Sequence, residues 1–285
     1  MNLINDLKKA WEIFMHSGLI ALYKQTISVV QLRMIKLIYS QVDENVLCAQ
    51  VVFSNKSSGV MVDVGAHHGT SLKEFLEERF MVYAFEPDKE NRDQLATKFQ
   101  SSVGKFLHID QRAVSDENSF GKVFYSSELS SGISGLSAFD ESHSKSGVVD
   151  TVTLETFCKE KNLKSIDYLK IDTEGYDLNV LKGLNFDDII PQVILCEFED
   201  RKTLPLGYKW TDLADFLESK GYIVLVFEWY PIKKYGSQHR FRELKRYPCK
   251  LERDNAWGNL VAVRSEISAK FIEYKVKDLN RYKIL

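Results

Sequence analysis

An apolar run that ends in an acid, turns on two glycines and gives way to a second apolar run with an acid at its tip leaves a chain few folds to choose from. Here the first run is Val60-Met61-Val62-Asp63-Val64, the turn is Gly65-Ala66-His67-His68-Gly69, and the second run is Tyr83-Ala84-Phe85 followed by Glu86. Short apolar runs bounded by glycine or proline read as buried strands, and a helical stretch between them makes the two strands parallel. That is the first half of a doubly wound α/β sheet, whose ligand crevice lies beyond the carboxyl ends of the strands. Gly65 and Gly69 enclose three residues and His67 stands between them, so the dinucleotide pattern G-x-G-x-x-G is absent. The turn suits a nucleoside without a pyrophosphate.

The alternation continues downstream. Thr70–Phe80 is expected to be a helix with Ser71 and Glu74 as a capping box, Val82–Phe85 the second strand, and Asp88 the cap of a helix reaching Lys98. Phe106–Ile109, Asp167–Ile171, Val193–Cys196, Ile223–Phe227 and Asn259–Val263 read as further strands. Helices are expected at Leu154–Lys161 and Thr211–Lys220, with another stopping at Gly183. The two final strands have no helix between them and should pair as an antiparallel hairpin. Residues 115–150 are a polar, serine-rich excursion with short strands expected at Val123–Tyr125 and Val148–Val152, and so long an excursion from a compact domain points to a task. Residues 1–50 read as helix, because Leu3, Leu7, Trp11 and Phe14 recur at helical spacing. The expected division is an N-terminal helical extension over 1–50, able to pair subunits into a homo-oligomer, and an α/β domain over 51–285 with a basic insertion at 231–256.

Composition narrows the partners. A formal net charge of −2 supplies no field that would make nucleic acid an obligate partner. Cys48, Cys158, Cys196 and Cys249 are scattered without a C-x-x-C pair, which argues against structural zinc and a disulfide framework and fits a reducing cytoplasm. No stretch approaches the ~20 apolar residues of a membrane span.

The second diagnostic stretch is Leu169-Lys170-Ile171-Asp172-Thr173-Glu174-Gly175-Tyr176-Asp177, running on through Leu178-Asn179-Val180-Leu181-Lys182-Gly183. A strand here carries Asp172 to the sheet edge that Gly65 occupies, so the turns at 63–69 and 172–175 should meet there. The D-x-G-x-x-x-G turn resembles the first motif of class I S-adenosylmethionine-dependent methyltransferases. The L-K-I-D-x-E-G run with its V-L-K-G continuation closely resembles the signature of the FkbM-like family among them. Phe85-Glu86-Pro87, Arg112-Ala113-Val114-Ser115-Asp116, Ser134-Gly135-Leu136-Ser137 and Val152-Thr153-Leu154-Glu155 match as well, so the likeness covers about residues 60–200. His67-His68 departs from the family, in which asparagine and a small or apolar residue are commoner.

The resemblance implies a Rossmann-like class I methyltransferase fold: α/β, a seven-stranded, mostly parallel sheet with one antiparallel edge strand, helices on both faces, and the N-terminal helices added. It also implies S-adenosyl-L-methionine as cofactor and O-methylation of a hydroxyl on a sugar, glycan or related natural product. An NAD(P)-binding Rossmann oxidoreductase and a non-catalytic S-adenosylmethionine-binding scaffold are the alternatives.

Roles follow residue by residue. Gly65 would let the backbone approach the methionine end of the ligand, and Gly69 would let the first helix pack under the turn. Asp63, Ala66 and the backbone of His67 would complete the cradle. Glu86 is placed to accept two ribose hydroxyls, and Asp110, or the backbone near Ala113, would flank the adenine. Asp172 is expected among the cofactor-binding residues and is also the first candidate for a base or for orienting the acceptor, with Glu174 and, in the excursion, His143 as further candidates. Mg²⁺ is not favoured; were it bound, Asp172, Glu197 and Glu199 would supply its oxygens. Pro231–Asn255 carries eight basic residues against three acids, so Tyr235, His239, Arg240 and Arg242 are candidates to hold a small-molecule or glycan acceptor, an anionic one included.

Overall fold

The computed structural model describes residues 42–231, 239–253 and 255–281. Asp43–Lys275 forms one compact unit; of a second, Met1–Val42 with Val276–Leu285, only residues 42 and 276–281 are described. The helices expected over 1–50 therefore lie outside the described residues, apart from the start of α1 (Glu44–Phe53), which Asp43 caps by accepting from the Val46 N–H.

β1 (Val60–Val64) is buried from its second residue onward, and a strand covered on both faces needs an unbroken apolar run. α2 (Lys73–Glu77) leads to β2 (Met81–Phe85), and α3 (Lys89–Lys98), capped by Asp88, leads to β3 (Leu107–Asp110). α2 is shorter than the helix expected over Thr70–Phe80, and the capping box does not form, because the Ser71 hydroxyl donates to the buried Asp63 carboxylate instead. β4 (Ala113–Val114), β5 (Ser119–Ser127) and β6 (His143–Val152) make a separate sheet in the order β4-β6-β5, so much of the polar excursion is a β-arm.

α4 (Leu154–Glu160) returns the chain to β7 (Tyr168–Ile171), which pairs with the free side of β1. α5 (Asp177–Lys182), β8 (Val193–Glu199), α6 (Asp200–Thr203), α7 (Trp210–Ser219), β9 (Ile223–Trp229), β10 (Phe241–Arg246), β11 (Trp257–Val263) and α8 (Glu266–Arg281) follow. On one face of the main sheet Val62, Leu169 and Ile194 join a core with Phe157 of α4, Leu181 of α5 and Leu213 of α7. On the other, Tyr168 stacks on Phe75 of α2 and donates to Asn45 of α1.

The main sheet runs β10-β9-β11-β8-β7-β1-β2-β3, the mostly parallel α/β architecture of a class I methyltransferase with two corrections. β11 is antiparallel to both β8 and β9 and lies between them, so this reversed strand is inside the sheet and not at its edge. An eighth strand, β10, is antiparallel to β9 and forms the edge, within the stretch read from its charge as an insertion. Charge on an edge strand is ordinary, since it discourages pairing with other chains. Phe241 anchors the strand, buried against Phe227 and Trp229.

The strand order reverses between β1 and β7, and the crevice at their carboxyl ends is where the candidate residues gather. No described helix is long and apolar enough to cross a membrane, and the four cysteines are unpaired.

Candidate functional site

The first turn is bent over the tip of β2 by two hydrogen bonds, in which the Gly65 and Ala66 N–H groups both donate to the Phe85 carbonyl, at 3.1 and 3.0 Å. Gly65 has φ +83°, and a Cβ there would collide with the Asp172 carbonyl oxygen. The turns at 63–69 and 172–175 therefore touch backbone to backbone, an approach open only to glycine. Lys170 is buried beneath the junction, 3.2 Å from Asp63 and 3.3 Å from Asp172. Asp63, fully buried between Lys170 and Ser71, lines no part of the cleft and supports the turn from below, which corrects its expected contact with a ligand.

Glu86 is fixed by backbone. Its Oε2 accepts from the His67 N–H at 2.7 Å and its Oε1 from the Asp88 N–H at 2.9 Å. Burial pushes this carboxyl up to about 7, with the two amides pulling the other way. A cleft of about 550 Å³, its open mouth included, runs past Glu86 and Gly65 to Asp172. Of the residues expected around a cofactor, Gly65, His67, Glu86, Ala113 and Asp172 line it. Ala66 is buried, and Gly69 packs on Leu95 and Phe99. Asp110 does not line the cleft, because Arg112 takes it in an ion pair of 2.7 Å while also reaching Glu160 at 2.8 Å.

The excursion supplies walls to which the sequence assigned no role, among them Ser131 and, from the run Ser134–Ser137, Ser134 and Leu136. The Ser134 hydroxyl is buried without a hydrogen-bond partner, a polar atom that a ligand in the cleft could satisfy. The serine-rich composition of this segment was the signal for it. His67 and His68 stack with ring centroids 3.7 Å apart; His67 Nε2 lies 3.0 Å from Ser131 Oγ, and His68 Nε2 lies 3.1 Å from Asn91 Oδ1. Burial, then the neighbouring His68, holds His67 below the ordinary histidine value.

Across the cleft the acids are held by lysines. Glu174 and Gly175 both have left-handed backbone, φ +56° and +93°, and a Cβ on Gly175 would lie 3.0 Å from the Lys202 carbonyl oxygen. Glycine at 175 thus lets α6 come close under the turn. Lys202 Nζ then lies 2.6 Å from Glu174, 2.6 Å from Glu197 and 3.3 Å from Glu199. Asp177 accepts from the Thr173 hydroxyl at 2.8 Å and from the Glu197 N–H at 3.1 Å. Burial above all pushes Glu174 up to about 7, Asp177 to about 7 and Glu197 to about 8, against the pull of Lys202.

Oxygens of Asp172, Glu174 and Glu197 lie within 4.8 Å of one another, while Glu199 turns to Arg201 at 3.2 Å. The oxygens that converge are therefore not the expected set of Asp172, Glu197 and Glu199, and with an ammonium already seated against them they do not fit a divalent cation.

His143 is corrected as a base candidate. Its Nδ1 faces the Asp140 carbonyl at 3.2 Å and its Nε2 the Ile133 carbonyl at 2.8 Å, so both ring nitrogens are engaged with main chain, and the residue does not line the cleft. The ring pins the excursion instead.

In the basic stretch, Tyr235 lies outside the described residues. Arg240 stacks over Tyr230 at 4.6 Å, and His239 meets Trp257 edge to face at 4.8 Å. Arg242 is 3.0 Å from Glu252, Lys245 is 2.9 Å from Glu228, and Arg246 is 3.0 Å from both Glu266 and Glu273. Much of the positive charge is thus matched by acids of the same domain.

Residues 63–224 match the family described as the methyltransferase FkbM domain. No protein of curated function matches the chain in sequence. Among solved structures it is similar to a precorrin-6Y C5,15-methyltransferase from Geobacter metallireducens, with 14% identity, 77% of this chain and 87% of that one covered, and a TM-score of 0.40. An rRNA methylase from Streptococcus thermophilus gives 8%, 77%, 93% and 0.41, and a magnesium protoporphyrin IX methyltransferase from Synechocystis PCC 6803 gives 12%, 76%, 76% and 0.37. Likenesses this distant carry no information on the acceptor.

Proposed function

Since the chain belongs to the FkbM methyltransferase domain family, we propose that it uses S-adenosyl-L-methionine to methylate a hydroxyl oxygen of a sugar, glycan or related natural product. The observation that carries this reading is the cleft itself, with a backbone-held acid at one end and a half-exposed one at the other. The residues present fit the donor. Glu86 has lone pairs left after His67 and Asp88 to accept ribose hydroxyls, Ser134 offers a buried hydroxyl without a partner, and Ala113 leaves a flat apolar wall for a base.

When bound, the donor supplies an already activated methyl, so alignment of the acceptor oxygen is the main requirement. Asp172, 41% exposed and steadied by Lys170, would orient the acceptor hydroxyl and take its proton as the methyl passes from the donor sulfur, whose S–C bond breaks, to the acceptor oxygen. Glu174 and Glu197 lie close enough to share that proton. His239 and Arg240, beside Trp257 and Tyr230, would hold the acceptor's body, with aromatic faces against sugar rings. Unpaired thiols accord with a reducing compartment such as the cytoplasm.

Calorimetry with S-adenosylhomocysteine and with NADH tests the donor. Heat with the first and none with the second is expected; the reverse would return the chain to dinucleotide chemistry. Methyl transfer to nitrogen or carbon acceptors but to no hydroxyl would overturn the O-methylation.

A further inference from the structure

Carboxylates that converge in a water-poor corner need compensating positive charge, and in many enzymes a hard divalent cation supplies it. At the β7–β8 edge a lysine is in that position. Lys202 Nζ meets Glu174 and Glu197 at 2.6 Å each, and its side chain is only 2% exposed. Two features mark this ammonium as built in. The close approach of α6 depends on Gly175, where a side chain would press on the Lys202 backbone. The Glu174 oxygen facing it is buried, and the ammonium 2.6 Å away is the group placed against it. Asp172, the third member of the cluster, is served by Lys170.

We propose that Lys202 replaces a metal ion: it is a positioning residue whose fixed ammonium holds Glu174 and Glu197 at the acceptor side, so that the site works without a divalent cation. The use made of the carboxylates rests on the methyl-transfer reading, but the test of Lys202 does not.

The test takes the full chain and Mn²⁺ as the probe, with bound and free ion counted by electron paramagnetic resonance. The unaltered protein is expected to leave millimolar Mn²⁺ free. Lys202→Ala opens the space between the carboxylates and should bind Mn²⁺ about tenfold more tightly or better. Glu197→Gln added to that variant should abolish the gain, and Mn²⁺ should raise the melting temperature of Lys202→Ala but not of the unaltered chain. Equal Mn²⁺ binding with and without Lys202, or a folded Lys202→Ala that gains no affinity, would overturn the proposal. Should Lys202→Ala fail to fold even with Mn²⁺, the unaltered chain decides: Mn²⁺ binding that Glu197→Gln removes overturns the proposal, and no binding upholds it. S-adenosylhomocysteine calorimetry on the same samples tests the donor separately, since its failure would remove the methyl-transfer reading and leave the role of Lys202 standing.

Discussion

The two ends of the cleft hold their acids by different means. Glu86 is held by the main-chain amides of His67 and Asp88, whereas Asp172, Glu174 and Glu197 are held by the ammonium groups of Lys170 and Lys202. A main-chain amide has no rotamers to order and cannot be substituted away, so it gives one acid one geometry. A lysine brings a full charge on a flexible stem, which neutralises several acids at once and can be exchanged by a single mutation. On the reading proposed above, the fixed end would hold the invariant donor and the lysine-held end would face the acceptor.

The sharpest way to break that comparison is Asp172→Asn. With an acceptor in hand, turnover should fall by about 10²–10⁴-fold while S-adenosylhomocysteine affinity holds, since the lost group acts on the acceptor. Unchanged turnover would remove Asp172 as base or orienting group.

A pH series isolates the amide-held end. Glu86 keeps its proton in the fold up to about 7, against 4.5 for a free glutamate, so the folded chain binds more protons than the unfolded one between those values. Its contribution is fully present below 4.5 and is lost as pH rises through 7, a fall of about 3 kcal/mol. Urea unfolding of the unaltered chain minus that of Glu86→Gln should show the slope in this window; parallel curves would contradict it.

Gly65→Ala attacks the junction between the ends. A left-handed φ costs a side chain about 1–2 kcal/mol, and the collision with the Asp172 carbonyl adds to it. Thermal unfolding should show a loss of more than about 2 kcal/mol together with weaker S-adenosylhomocysteine binding. Glu86→Ala should weaken that binding by about tenfold or more, as expected for the loss of two hydrogen bonds to the ribose, and leave the fold intact. Arg246→Ala, in half-exposed ion pairs away from both ends, should change stability by less than about 1 kcal/mol and leave binding untouched.

The amide-held end was legible because its information is contiguous: Val60–Gly69 and Phe85-Glu86 specify strand, turn and strand within one short span. Asp172 and the meeting of the two turns were legible for the same reason. Lys202 was not, because a lysine on a four-residue helix looks like any solvated surface charge until Gly175 brings that helix beneath the turn. The excursion announced itself by its serines, but its pairing into β5 and β6 depends on contacts across the arm. β10 was not foreseen as a strand, because its charge density marked the stretch only as a basic insertion, and Phe241 is what attaches it.

The contact of Gly65 with the Asp172 carbonyl has a consequence for how such a protein can diversify. Gly65 does not tolerate drift, because a methyl group there would shift the main chain at Asp172, whose own side chain takes no part in the contact. On the methyl-transfer reading, changes of acceptor then fall to positions other than Gly65, such as the strap of serines or the surroundings of Lys202, while the junction of the two loops stays fixed.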